Sequence, residues 1–268
     1  MFLLVFGIQE GHQYDWGTIT GPFTVWRLIL GGLVVLVLFV WWQARNRNEP
    51  LVPLKLFGDR NFSVSNIAIS TMSFSVTALG FPIMLYAQLV RGLTPTEAAL
   101  LTVPMATMSI LMAPVAGRLT DRVHPRLLSG AGFVVSALGM YWLARATTAD
   151  SPTWQILVSF GLFGLGTSFT WGPLAATATR NLPLALAGAG SGVYNATRQV
   201  GAVLGSAAIA VLMDARLAAH LPGVSMGGHA EAATGSLPEQ VQAPFSAAMA
   251  DALLLPAAVL LIGFVLVL

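Results

Sequence analysis

Seven long apolar stretches follow one another along this chain, and shorter polar segments separate them. Each stretch is long enough for the roughly 17–25 residues that a helix needs to cross a bilayer. Strands of a membrane β-barrel would instead alternate apolar and polar side chains over about 10 residues. The pattern therefore predicts an all-α integral membrane protein with about seven transmembrane helices, at residues 25–42, 62–90, 98–117, 127–144, 152–179, 186–213 and 245–268.

Lysine and arginine are concentrated in every second connecting segment. Residues 43–61 and 117–126 hold seven of the thirteen basic residues, and Arg180 follows the fifth stretch. The intervening segments carry acidic residues and scattered arginines, and residues 214–243 form a segment rich in glycine, alanine and serine. By the positive-inside rule, the more basic segments face the cytoplasm. We therefore expect a multi-pass protein of the plasma membrane with cytoplasmic loops at 43–61 and 117–126.

Composition narrows the possible functions. The chain is 56% hydrophobic and 9% charged, whereas a soluble domain has about 25% charged residues. A net charge of only +2 gives no reason to expect nucleic acid as a partner. Without cysteine there is no disulfide or thiolate metal site, and the sequence lacks metalloprotease, nucleophile-elbow and phosphate-loop motifs. We expect no enzyme activity, no metal and no cofactor. The sole lysine, Lys55, lies in a loop, which argues against a retinal protein.

Arg198 is the one charge near the middle of a long apolar helix, between the uncharged runs 181–197 and 199–213. A cation at mid-bilayer depth costs roughly 2.5–3.5 kcal/mol on insertion scales, so it usually faces protein or a watery cavity. Helical spacing puts Tyr194 broadly on its face, with Asn195 and Gln199 as an adjacent polar pair. Two interpretations stay open: these four residues line a cavity, or Arg198 hydrogen-bonds carbonyls of a broken neighbouring helix.

Other residues of the apolar stretches have simpler expected roles. Small residues let helix backbones approach closely in membranes, so we expect helix packing at Gly188, Gly192, Gly201 and Gly205. Methionine and aromatic side chains of the second and fifth stretches, Trp171 among them, are expected mostly to face lipid or other helices. Asp251 is expected to be hydrated near the outer end of the last stretch.

The third and fourth stretches are joined by the sequence GRLTDRVHPR. Its spacing of glycine, leucine, aspartate and arginines resembles the loop motif of the major facilitator superfamily, with matches at Gly117, Leu119, Asp121, Arg122 and Arg126. His124 and Pro125 depart from the usual residues. The resemblance implies a gating role, and we expect Asp121 to tie this loop to a later helix, with Arg180 as the most available partner.

A second resemblance is more specific. The sequence AGAGSGVYNATRQVGAVLGSAAIAVLM resembles the penultimate helix of the fourteen-span drug:proton antiporter branch of that superfamily. The entry to the chain, VFGIQEG followed later by PLVPLKLFGDRNF, is similar to the start of the second half in that branch. The resemblance implies the tail of a truncated helix at 1–8, an extra central helix and cytoplasmic linker at 9–61, and a C-terminal six-helix bundle at 62–268.

The resemblance also implies a function for the intact protein. It would be a secondary active transporter that exports drugs or other small hydrophobic or cationic molecules, coupled to protons and working by alternating access. Its partners would be the lipid bilayer, the small-molecule substrate, protons and a missing N-terminal half. The alternatives are a non-transporting scaffold or regulatory fragment, and a transporter of the same fold that carries a sugar, an amino acid or a lipid.

Overall fold

A computed structural model describes residues 17–20, 23–45, 52–221 and 237–268, together with residues 3, 6, 7, 11 and 14. The predicted helix tail at 1–8 and the middle of the segment 214–243 lie largely outside the described residues.

The described residues are almost entirely helical. The helices are α1 (Val25–Arg45), α2 (Arg60–Leu85), α3 (Pro95–Leu100), α4 (Val103–Thr120), α5 (Pro125–Ala146), α6 (Thr153–Thr179), α7 (Leu184–His220) and α8 (Glu239–Val267). A 3-10 helix at Leu54–Gly58 precedes α2, and a π-helical turn at Tyr86–Val90 extends it. A small antiparallel hairpin, β1 (Thr18–Thr20) and β2 (Phe23–Thr24), precedes α1.

The prediction of an all-α membrane protein is confirmed. Six of the described helical segments have the length and hydropathy needed to cross a membrane. The seventh long helix, α6, has 27 residues and none of them is charged. It contains more glycine, serine and threonine than the others, which lowers its hydropathy.

Two helices differ in detail from the predicted apolar stretches. The predicted third helix is divided into α3 and α4 by a turn at Leu101 and Thr102, and Pro104, which has no N–H, lies in the first turn of α4. Thr94 and Glu97 form a capping box at the start of α3. Helix α7 continues past Met213 to His220, because the sequence after Met213 is rich in good helix formers although it is no longer apolar.

Helices α2 and α4–α8 form one bundle. The most extensive contacts join α5 to α6, α2 to α7, α4 to α6, α5 to α8 and α2 to α8. Large side chains that are fully buried fill its interior: Phe62, Tyr86, Phe133, Phe160, Phe163 and Phe245. Helix α1 instead makes its main described contacts with the hairpin. Apolar side chains along α1 are exposed, as at Trp26 and Val37, and such a surface suits lipid.

Alternate helix ends meet at one end of the bundle, which we call the basic face. The starts of α2 and α5 and the ends of α6 and α8 line one cavity there, and the end of α4 borders a second cavity with the start of α5 and the end of α6. We call the opposite end the far face. The residues at the basic face include Arg60, Arg118, Arg122, Arg126 and Arg180. This grouping agrees with the charge pattern of the loops.

The orientation of the basic face stays a prediction, and single cysteines in this cysteine-free chain test it. We expect Val123→Cys, in the loop at the basic face, to react with an impermeant maleimide only after cells are permeabilised. Asp150→Cys, in an exposed loop at the far face, should react in intact cells. Labelling of Val123→Cys from outside intact cells would contradict the assignment.

Candidate functional site

Arg198, near the middle of α7, stacks on an aromatic ring of α6. Its guanidinium carbon lies 4.9 Å from the centroid of the Trp171 ring, within the distance at which a cation is attracted to an aromatic face. Arg198 is exposed at the surface of the bundle and Trp171 is half-buried. Both residues could be singled out from the sequence, but the contact between them could not be predicted from it.

The pair borders an open groove between α6 and α7, which we call the Arg198 groove. The groove has a volume of about 600 Å³, which lies in the usual range for small-molecule sites, about 300–1,000 Å³. Its α6 wall is built mainly from small residues. The residues that line it are Trp171, Gly172, Ala175, Ala176, Thr179, Ser191, Tyr194, Asn195 and Arg198.

Three of the four predicted cavity residues line this groove: Tyr194, Asn195 and Arg198. The Tyr194 ring is buried, and its hydroxyl has no hydrogen-bond partner among the described residues. The Asn195 side-chain amide donates to the Ser191 carbonyl at 3.0 Å. Gln199 is exposed on α7 but does not belong to the lining. The lining therefore combines the Arg198 cation and the Asn195 amide with the hydroxyl-bearing residues Thr179 and Ser191, and the rest of it is apolar apart from the buried Tyr194 hydroxyl.

The alternative role for Arg198, hydrogen bonding to the carbonyls of a broken neighbouring helix, is not supported by the described contacts. Within the described part of the chain, its guanidinium makes no hydrogen bond to a backbone carbonyl, and it stacks on the Trp171 ring. A structural arginine that satisfied a broken helix would be buried against that helix. The exposure of Arg198 favours the cavity interpretation.

The four glycines of α7 that were predicted to pack against other helices divide into two pairs. A Cβ at Gly201 would overlap the Ser70 carbonyl and lie 2.6 Å from the Ser70 Cα, and a Cβ at Gly205 would overlap the Phe74 carbonyl. The Ser70 hydroxyl donates to the Thr197 carbonyl at 2.9 Å across the same contact. These glycines therefore let α2 and α7 approach backbone to backbone.

For the other pair, Gly188 and Gly192, the described chain shows no packing contact, and helix packing there stays a prediction. A Cβ at either position would meet nothing within 4 Å. Both glycines lie on the exposed side of α7, one and two turns before Asn195. This side of α7 contacts no other described helix there.

The loop motif lies at the basic face. Gly117 and Leu119 are in the last turns of α4, Asp121 is the C-cap of α4, and Arg126 is in the first turn of α5. The Leu119 carbonyl accepts from the backbone N–H groups of Arg122 and Val123, which tightens the turn. Gly117 meets nothing within 4 Å of its Cβ direction, so it allows no close helix approach among the described residues.

The predicted latch partners share a cavity but do not touch. Asp121, Arg122 and Arg180 line a space of about 520 Å³ between the ends of α4 and α6. No ion pair within 4 Å joins Asp121 to Arg180 in the described residues. The latch therefore stays a hypothesis, and it requires a change in the distance between these helix ends.

Two features were missed at the level of sequence. Asp59 caps α2 by accepting from the Phe62 N–H at 2.8 Å, and it also accepts from the Asn181 side chain at 3.1 Å. An aspartate immediately before an apolar helix is a recognisable N-cap signal.

At the far face, the carboxylate of Asp251 lies 3.1 Å from the His220 ring and 3.7 Å from Arg216. The expected hydration of Asp251 did not include these partners.

The described residues contain no group of three or more histidine, aspartate or glutamate side chains placed to hold a metal ion.

Comparisons with known proteins identify the family. Residues 15–206 match the model of the Major Facilitator Superfamily. The chain is 46% identical to the Uncharacterized MFS-type transporter Rv1250 of Mycobacterium tuberculosis, over 99% of this chain and 46% of that protein. It is 32% identical to the Cephamycin export protein CmcT of Amycolatopsis lactamdurans, over 77% of this chain and 42% of that protein. It is 29% identical to the Multidrug resistance protein Stp of Mycobacterium tuberculosis, over 81% of this chain and 39% of that protein.

The chain thus spans less than half the length of each of these relatives. The family resemblance carried by the loop motif and by the sequence around Arg198 is confirmed, because the family model covers both segments. The chain belongs to the major facilitator superfamily.

Proposed function

We propose that this chain is the C-terminal part of a secondary active transporter that exports drugs or other small hydrophobic or cationic molecules in exchange for protons. Members of the superfamily are transporters and not enzymes, in agreement with the lack of catalytic motifs. Two relatives with names that indicate drug resistance or drug export, Stp and the cephamycin exporter CmcT, support this class of cargo.

The Arg198 groove carries the proposal. It is open at the surface of the bundle, it has the volume of a small-molecule site, and its polar groups lie near the middle of α7. Transporters built from repeats place their substrate near the bilayer midplane, between two bundles that rock against each other. In the intact protein, the groove would form one wall of that cavity and an N-terminal bundle would form the other.

The charge of the Arg198 groove affects which substrates this wall of the cavity can attract. Arg198 is the one charged residue in its lining, so this wall alone does not attract a cation. A cationic substrate would require acidic side chains on the opposite wall. A neutral substrate could instead contact the small residues of α6 and the Trp171 ring without such help.

A transport assay tests the proposal. The protein is expressed in the longest form that its gene encodes, and everted membrane vesicles are given a panel of cationic, neutral and anionic dyes. We expect at least one hydrophobic dye to accumulate when a proton gradient is present, and a protonophore to abolish the accumulation. Vesicles without the protein are the control. Folded protein that moves none of the dyes would contradict drug export.

The scaffold alternative rests on the length of the chain relative to its relatives. Sequencing upstream of Met1 distinguishes the two functions. An in-frame segment that encodes further membrane helices supports the transporter, whereas its absence, together with a lack of transport, would support a scaffold or regulatory role.

The loop motif gives a prediction within this function. If Asp121 latches the basic face, Asp121→Asn should lower the rate of dye export by about threefold or more, since residues that bias a two-state element contribute roughly 0.5–2 kcal/mol. Membrane insertion should be unchanged, because Asp121 is exposed at a helix end. Asp150→Asn, an exposed carboxylate at the far face, is the matched control. If Asp121→Asn exports dye at the rate of the control, the latch hypothesis is wrong and the loop motif only helps to set the membrane topology.

A further inference from the structure

The Arg198 guanidinium has hydrogen-bond donors that no described residue uses. Its contact is with the face of the Trp171 ring, and such a contact occupies none of its five N–H donors. Among the described residues, no carboxylate lies within 4 Å of it and no acceptor receives a hydrogen bond from it. A cation inside a membrane is almost always paired with another charge or with carbonyl oxygens. The unused donors therefore indicate an acceptor that lies outside the described chain.

The depth of Arg198 in the membrane limits what that acceptor can be. The start of α7 at Leu184 lies about 21 Å from Arg198 along the helix axis, at 1.5 Å per residue. In the other direction, the uncharged run continues to Met213, about 22 Å away on the same scale. The hydrocarbon core is about 30 Å thick in total, so lipid head groups at either face lie too far away. The acceptor has to enter the Arg198 groove itself.

The groove presents further donors beside Arg198. Ser191, Asn195 and Arg198 all line it, and their spacing of four and three residues places them along one side of α7. The Asn195 amide uses one N–H on the Ser191 carbonyl at 3.0 Å, which leaves its second N–H available. The Ser191 side chain is exposed, and its hydroxyl makes no hydrogen bond to another described residue. This side of α7 therefore suits a ligand group that accepts several hydrogen bonds.

The rest of the lining suits an apolar ligand body. It contains no carboxylate, so a cationic ligand would meet no opposite charge on this wall. Gly172, Ala175 and Ala176 have small side chains and leave space along α6, and Trp171 adds apolar ring surface. The volume of about 600 Å³ admits an aromatic molecule.

We propose that the Arg198 groove binds the carboxylate of a small hydrophobic substrate. The two carboxylate oxygens accept from the Arg198 guanidinium, whose planar fork matches their geometry. Asn195 and Ser191 donate further hydrogen bonds, and the apolar body of the substrate lies along α6. One arginine balances the single charge of a carboxylate, whereas a phosphate monoester carries about −1.5 to −2. The inference rests on the proposed function and narrows its cargo to hydrophobic molecules that carry a carboxylate.

Equilibrium binding tests the site without a transport assay. The protein, in the longest form that its gene encodes, is held in nanodiscs of phosphatidylcholine, and binding of tritiated 2-naphthoate is measured. 2-Naphthamide, which has the same ring and shape but no charge, and 2-naphthylmethylammonium compete for the site. We expect wild-type protein to bind the carboxylate about tenfold more tightly than the amide, as hydrogen bonds between charged groups allow, and to bind the ammonium compound more weakly still.

Two groove variants should remove this preference. Arg198→Ala should bind 2-naphthoate about tenfold more weakly and should no longer distinguish it from the amide. Asn195→Asp has nearly the shape of the wild type and places a carboxylate three residues before Arg198, within reach on the same helix. It should therefore occupy the guanidinium and also weaken 2-naphthoate binding about tenfold, with little change for the amide. This second variant keeps the test decisive if Arg198→Ala folds poorly.

Arg145→Ala is the matched control. It removes an exposed arginine in the last turn of α5 that does not line the groove, so it should bind 2-naphthoate as the wild type does. An equal loss in Arg145→Ala would show that general positive charge attracts the probe.

Three results would overturn the proposal. They are equal wild-type affinities for the carboxylate and the amide, no wild-type binding of any of the three probes, and wild-type affinity for 2-naphthoate in Arg198→Ala or Asn195→Asp. Equal affinities would mean that Arg198 takes its counter-charge from another part of the intact transporter. If the vesicle assay still shows dye export, the proposed function stands and only the carboxylate assignment is wrong. If 2-naphthoate binds as expected but no dye is exported, the transport function is wrong and the binding site stands.

Discussion

Gly205→Leu and Gly201→Leu are each expected to abolish folded protein. At Gly205 even a Cβ would lie 2.8 Å from the Phe74 Cα and overlap the Phe74 carbonyl. These are backbone atoms, so they cannot rotate away as the end of a flexible side chain can. To admit leucine, α2 and α7 must move apart, which also breaks the bond from the Ser70 hydroxyl to Thr197. Overpacking of this kind typically costs about 1–3 kcal/mol, and more where backbone is involved.

Alanine variants give the matched comparison. Gly201→Ala and Gly205→Ala should lower the thermal midpoint and the yield of monodisperse protein. Gly188→Ala and Gly192→Ala add the same methyl group to the same helix, where nothing lies within 4 Å. Alanine favours a helix by about 1 kcal/mol over glycine, so these two should be as stable as the wild type or slightly more so. Equal stability of Gly205→Ala and Gly188→Ala would show that the α2–α7 contact is wrong.

Arg198→Ala is expected to lower transport per folded molecule by about tenfold or more, with a yield close to that of the wild type. Removing a group that contacts the substrate or organises the cavity wall costs at least the 1.4 kcal/mol that corresponds to a tenfold change. The yield should hold because Arg198 is exposed and its recorded contact is the Trp171 ring. Fluorescence-detected size exclusion measures the folded amount, and dye flux is divided by it.

Two further variants identify what Arg198 contributes. Arg198→Lys keeps the charge but loses the planar guanidinium that stacks on Trp171, so it should resemble the alanine variant. Leu204→Ala, an exposed α7 position outside the groove, is the control. If Arg198→Ala instead lowers the yield and leaves the flux per folded molecule normal, Arg198 has a structural role only.

The membrane-spanning elements could be predicted from sequence because their signal is local. A bilayer demands a continuous apolar run, and each helix shows one whatever it packs against. The end of α7 is the exception, since Asp214 and Arg216 close the apolar run while the helix continues to His220. Helix propensity and hydropathy are different properties, and they diverge where a helix leaves the membrane.

The site could be predicted only in part, because its geometry depends on which helices are neighbours. The glycines at 188, 192, 201 and 205 look alike in sequence, yet only the last two face α2. Arg198 could be identified from its charge in an apolar run, but its pairing with Trp171 joins two helices. The hydrogen bond between the Asp251 carboxylate and the His220 ring likewise spans 31 residues and two helices. Such pairings can be predicted only when the arrangement of the helices is known.

The most direct test of the central claim measures dye and proton movement together in proteoliposomes that hold the intact protein. A pH gradient is imposed, and a dye found in the vesicle panel is supplied at equal concentration on both sides. The proposed function predicts that the dye moves uphill against the proton flow, and that both fluxes fall together in Arg198→Ala. Absence of uphill dye movement with folded protein, or wild-type fluxes in Arg198→Ala, would contradict the assignment of the Arg198 groove as a wall of the transport cavity.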